Sequence, residues 1–210
     1  MEPSATSLDI MSAPAAAGAP LVDPTDLLRA REYVLLAALL ARAPSRDLLS
    51  RLAALSGDDS PLGRAHRALA EAARQAEPDD VGHEFFDLFI GVGRGELLPY
   101  ASYYLTGFLN ERPLAQVRAD FDAIGVERAP DNPEPEDHIA ILCEVMAGLA
   151  AGEFAAEPGM QRRFFEHHLK PWAERFFADL ENARSAGFYR AIGALGRLLI
   201  EIEAEAFTME

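Results

Sequence analysis

Asp137 and His138 stand side by side in NPEPEDHIAILCEVMAGL, residues 132 to 149, after two prolines and two glutamates and just before a strongly apolar run. A carboxylate that orients an imidazole is a common general base, so this pair could do acid–base chemistry. Upstream, Gly91, Gly93 and Gly95 in GVGRGE resemble a phosphate-cradling loop. Together they define one reading: a small hydrolase or nucleotide-dependent enzyme using Asp137-His138 and the Gly91 to Gly95 loop. A second reading needs no chemistry. Pro135 suits the first turn of a helix, and Glu136 and Asp137 suit its electropositive end, so the string predicts a helix from Glu136 to about Ala151.

The residues that would complete an enzyme are missing. The glycine loop follows a helical pattern rather than a strand, it lacks a Gly-Lys-Ser/Thr ending, and Lys170 is the chain's single lysine. None of His66, His83, His138, His167 and His168 forms a pair four residues apart on one helical face, so no metal site is expected. Cys143 follows His138 by five residues, about 500° around a helix, so the two cannot pair as nucleophile and base. Cys143 reads as a small core residue. The expectation is no catalytic residue, no metal and no cofactor.

Charge narrows the partners. Nineteen basic residues against 34 acidic ones give a net charge of −15, which repels nucleic acid and anionic lipid and attracts a basic peptide. One cysteine forms no intrachain disulfide, which suits a reducing compartment. The opening MEPSATSLDIMSAPAAAGAP has neither a basic n-region nor a continuous apolar stretch, and the apolar run from Tyr33 to Ala41 is too short to cross a bilayer. A cytoplasmic protein without membrane insertion is expected.

The elements that must position these residues read as helices throughout. Residues 1 to 22 are rich in Ala, Pro and Ser and predict a flexible tail; residues 23 to 210 form the domain. The segment from Asp23 to Pro44 predicts a central, buried helix, followed by two shorter amphipathic ones, SRDLLSRLAALS and SPLGRAHRALAEAARQA, the second opened by Ser60. PDDVGHEFFDLFIG aligns Val81, Phe85, Leu88 and Phe89 on one helical face. GVGRGELLPYASYYLTGFLN predicts a long, ordered, irregular loop with room for a helical turn. ERPLAQVRADFDAIG predicts a helix stopped at Gly125, and two long helices close the chain, the first broken at Pro171. The class is all-α, a single multi-helix domain. The proline-rich connector 129–135 could act as a hinge for a domain-swapped dimer, although a monomer is the simpler expectation.

Four strings, FFDLFIG at 85–91, LLPYASYYL at 97–105, EPEDH at 134–138 and HLKPW at 168–172, resemble in order and spacing the TorD/DmsD family of cytoplasmic chaperones, the redox enzyme maturation proteins. The resemblance covers most of the chain after the tail. It implies binding of the twin-arginine signal peptide and apoprotein of a molybdopterin oxidoreductase during cofactor insertion, before export. Carried over residue by residue, it places a peptide-binding surface at Phe85, Leu88, Phe89, Pro99, Tyr100, Glu134, Asp137 and His138. Phe85 and Tyr100 stand where the family often has tryptophan, and Trp172 reads as a structural anchor. A receptor for such a peptide needs carboxylates for guanidinium groups beside an apolar groove, and Glu134, Glu136 or Asp137 could be the arginine reader. The PYASYYLTGFLNERPL stretch resembles the chaperones of formate dehydrogenases or related reductases more than the nitrate-reductase branch.

Overall fold

Proline and hydroxyl caps set where the first helices begin. The computed structural model describes residues 22–129, 132–154 and 156–209. Helix α1, Pro24–Ala41, starts after Asp23, whose carboxylate accepts from the Thr25 amide at 2.7 Å. Ser45 and Ser60 do the same for α2, Arg46–Ala53, and α3, Pro61–Gln75, accepting from Leu48 and Gly63 at 3.2 and 3.0 Å. Helix α4, Pro78–Phe85, runs into one wider π-helical turn, Phe86–Ile90. Within the expected irregular loop, Ala101–Thr106 forms a short helix, α5. Helix α6, Arg112–Ile124, stops at Gly125 in the left-handed conformation.

Helix α7, Ile139–Ala150, begins three residues later than Glu136, the expected start, because His138 rather than the proline-acid segment is its N-cap. Helix α8, Met160–Phe164, continues into a π-helical turn, Phe165–Leu169, and the break at Pro171 separates it from α9, Ala173–Asn182. Helix α10, Tyr189–Met209, is the longest. Among the described residues there is no strand, only an isolated bridge between Tyr100 and His138. The tail assigned to residues 1 to 22 falls, apart from Val22, outside the described residues, as do 130 and 131 of the hinge segment.

Apolar residues on almost every face of α7 place it at the centre, where only Glu144 is less than fully buried. Helix α1 packs along it, and α10 lies between α9 and α3. The first helix is therefore a flank rather than the expected centre: Tyr33, Leu36, Leu39 and Leu40 face the core, whereas Leu28 and Val34 are exposed. A run of leucines does not by itself say how many of its faces find a partner. Helices α9 and α10 approach so closely that a Cβ on Gly196 would meet the Phe177 ring at 2.2 Å. Trp172 is buried, and its indole donates to the His168 carbonyl at 2.7 Å, closing the turn at Pro171.

The chain's first and last helices are joined by a buried polar clamp. Glu203 of α10, wholly buried, accepts from Arg29 Nε and Nη2 of α1 at 2.7 Å each and from the Tyr33 hydroxyl at 3.1 Å. Such a carboxylate is tolerable in the interior only because it is satisfied on both oxygens.

Candidate functional site

Two of the four strings meet through their backbones. The Ala101 amide donates to the Asp137 carbonyl at 3.0 Å and the Ile139 amide to the Pro99 carbonyl at 2.9 Å, so Tyr100 and His138 form an antiparallel bridge. Their rings meet edge to face, centroids 5.1 Å apart. This bridge joins the entrance of α5 to the entrance of α7.

Each side chain at the bridge then follows from a local need. Asp137 is 1% exposed, and its carboxylate accepts from the Ser102 amide at 2.8 Å and the Ser102 hydroxyl at 2.5 Å, capping α5 from across the fold. The Ser102 hydroxyl in turn accepts from the Glu111 amide at 3.3 Å, which closes the turn between α5 and α6. His138 Nδ1 accepts from the Ala140 amide at 3.1 Å, so the ring's proton sits on Nε2. Burial pushes this imidazole down to about 4 against the charges of Glu134 and Asp137, and it is neutral at pH 7.

The polar edge above the bridge faces water. The Tyr100 hydroxyl donates to Glu134 at 2.6 Å, and burial together with that carboxylate holds the phenol well above its ordinary value. Glu136 accepts from Arg118 of α6 at 3.0 Å. Burial would raise the Glu136 carboxyl, but Arg118 and Arg128 hold it below the usual range. Beyond α5, Gly107 and Asn110 take positive φ, and the turn between them projects Phe108 and Leu109 into solvent, with Thr106 Oγ accepting from the Phe108 amide.

The eight residues expected on a peptide surface thus divide. Tyr100 and Glu134 are half-exposed at the edge, while Pro99, Asp137 and His138 are buried beneath it. Phe85 and Phe89, also half-exposed, pack on each other at 5.0 Å and on Tyr189 of α10 at 5.8 and 5.5 Å. Leu88 is wholly buried, so its expected place on the surface is corrected: it points into the core, and its carbonyl accepts from the Leu97 amide, which ties the two strings together. Ser102, Arg118 and Arg128 were not anticipated. Nothing local marks them, because each acquires its partner from a distant segment.

The same geometry disfavours the enzymatic reading. Asp137 bonds Ser102 and the acceptor nitrogen of His138 is taken by a backbone amide, so the neighbours do not form an oriented base. Gly91 caps the π turn, its amide donating to the Phe86 carbonyl at 2.7 Å, and Gly95 packs on Leu88 and Phe89. That loop is a helix stop. Among the described residues no group of His, Cys, Asp and Glu could hold a metal ion, and no helix is long and apolar enough to cross a membrane.

The described residues form an all-helical fold with a bridged, acidic and aromatic edge. Residues 56–178, more than half the chain, match the family model described as nitrate reductase delta subunit. The chain is 32% identical to a chaperone protein TorD of Vibrio cholerae serotype O1 over 77% of this chain and 80% of that one. A TorD chaperone of Shewanella loihica is 26% identical over 87% of this chain and 94% of its own. In fold, the chain is similar to a crystal structure of a putative redox enzyme maturation protein from Archaeoglobus fulgidus, with TM-score 0.56 and 18% identity over 83% of this chain and 94% of that one. The chain belongs to the TorD/DmsD family of chaperones.

Proposed function

We propose that this chaperone acts in the cytoplasm, as a monomer, on a molybdopterin oxidoreductase, binding its twin-arginine signal peptide and apoprotein until the cofactor is inserted and export can follow. The client is a formate dehydrogenase or related reductase, a choice that rests on the PYASYYLTGFLNERPL string alone. One observation carries the peptide reading: Tyr100 and Glu134 form a half-exposed aromatic and carboxylate pair on a rigid backbone bridge, in a chain of net charge −15. Arginines of the leader pair with carboxylates at this edge, and its apolar segment lies on Phe85, Phe89 and the neighbouring exposed apolar side chains. Leu88, Pro99, Asp137 and His138 shape that surface from beneath.

Titration of the full chain with the twin-arginine leader peptides encoded in its own genome tests this. Saturable binding to at least one, weakened when both arginines become lysines, is expected, because lysine cannot pair bidentately. No saturable binding to any of them would overturn the reading.

A further inference from the structure

Glu136 is already occupied by guanidinium groups, and they belong to the chain itself. Arg118 of α6 places Nε and Nη2 at 3.0 and 2.9 Å from one carboxylate oxygen, while Arg128 of the following connector places Nε at 3.9 Å from the other. Arg128 Nη1 also lies 3.5 Å from the Glu134 carbonyl, so this guanidinium spans the two glutamates of EPEDH. The carboxylate side chain is 12% exposed, whereas its two arginines are 54% and 42% exposed. The acid is anchored and the cations above it are on the surface.

We propose that Arg118 and Arg128 are internal competitors for the site that reads arginine, holding Glu136 until the leader's arginine pair displaces them. The inference deepens the peptide-binding reading above and rests on it. The exchange swaps one guanidinium for another, so the carboxylate never stands unpaired in a partly desolvated position, where an uncompensated charge is expensive. The displaced side chains move into water at little loss, since the two guanidinium-bearing side chains are already 54% and 42% exposed. Asp137 takes no part as reader: it is 1% exposed and committed to Ser102. A cation that pairs less well than arginine does not dislodge the residents, so the contact sharpens selection for guanidinium over ammonium.

The test is calorimetric titration of the full chain with an arginine-pair leader peptide and its lysine-pair counterpart, at low and physiological salt. For Arg118→Gln combined with Arg128→Gln, binding of the arginine peptide tightens by about two- to tenfold, because no resident guanidinium has to leave Glu136 first. The gain disappears when Glu136→Gln is added to the double variant. Arg51→Gln combined with Arg74→Gln is the charge-matched control: Arg51 lies on α2, 72% exposed beside Asp47, Arg74 lies on α3, 50% exposed beside Glu71, and their loss produces no comparable gain. Circular dichroism verifies that each variant is folded. Unchanged or weaker binding by the double variant, a gain that survives Glu136→Gln, or an equal gain from the Arg51→Gln and Arg74→Gln pair overturns the competition while leaving the peptide reading intact. Absence of binding by every folded variant overturns both.

Discussion

The Asp137 carboxylate receives two hydrogen bonds from a single residue, Ser102, 35 positions earlier: amide at 2.8 Å and hydroxyl at 2.5 Å. An acid that the sequence offers as a catalytic base or arginine reader is thereby a tertiary cap. Asp137→Ala leaves the buried Ser102 amide without a partner and is expected to destabilise the chain by about 1 to 3 kcal/mol in urea denaturation. Asp137→Asn, which still accepts from the amide, loses less stability and binds leader peptide nearly as well as the native chain. A large loss of affinity in folded Asp137→Asn would make Asp137 a direct contact after all.

His138 predicts a pH dependence with a definite sign. Its folded value is depressed by burial to about 4, below the ordinary 6.5, so between those values the unfolded chain binds the proton and the folded one does not. The stability associated with the neutral ring is therefore present above about pH 6.5 and is lost as pH falls toward 4, to a total of about 3 kcal/mol. Asparagine at this position can still accept from Ala140 but does not titrate. Urea midpoints measured from pH 7 to 4 are expected to fall less steeply in His138→Asn than in the native chain.

Tyr100 and Glu134 separate binding from folding. Their bond lies at the edge, so Tyr100→Phe and Glu134→Gln should each change stability by no more than about 1 kcal/mol. Glu134→Gln removes a charge that a leader arginine would meet, and its affinity for the peptide should drop about tenfold, corresponding to 1.4 kcal/mol. The deficit shrinks at high salt, where the native chain also binds more weakly.

Glu203 provides the contrasting case, a charge that matters to the fold alone. Glu203→Ala leaves Arg29 partly buried with its principal partner gone, and a loss of about 3 to 5 kcal/mol is expected in thermal or urea unfolding. Leader affinity of the remaining folded protein should be unchanged, since Arg29 and Glu203 join α1 to α10 rather than to the Tyr100 edge.

What was legible locally was what local chemistry controls. Helical periodicity, Ser60 at an N-cap, Gly125 at a stop and Pro171 at a break all act within a turn or two of chain, and they identify the all-α class. The string around Asp137 was harder. Pro135 and two acids imitate a helix start, but the chain makes a turn there and α7 opens at His138, because the segment pairs with Pro99 to Ala101 instead. Likewise α1 is more apolar than its position requires, leaving Leu28 and Val34 exposed.

The sequence by itself determined the all-α class, most of the helices, the acidic charge balance and the ordered strings that mark the family. Only the tertiary structure decided which carboxylates are available. Asp137 and Glu136 are adjacent and chemically alike, yet one faces the buried Ser102 and the other faces two surface arginines. That difference arises from the turn that leads into the bridge between Tyr100 and His138: the His138 amide donates to the Pro135 carbonyl at 3.0 Å, Glu136 and Asp137 are the two residues inside that turn, and which of them meets the core depends on segments far away in the chain.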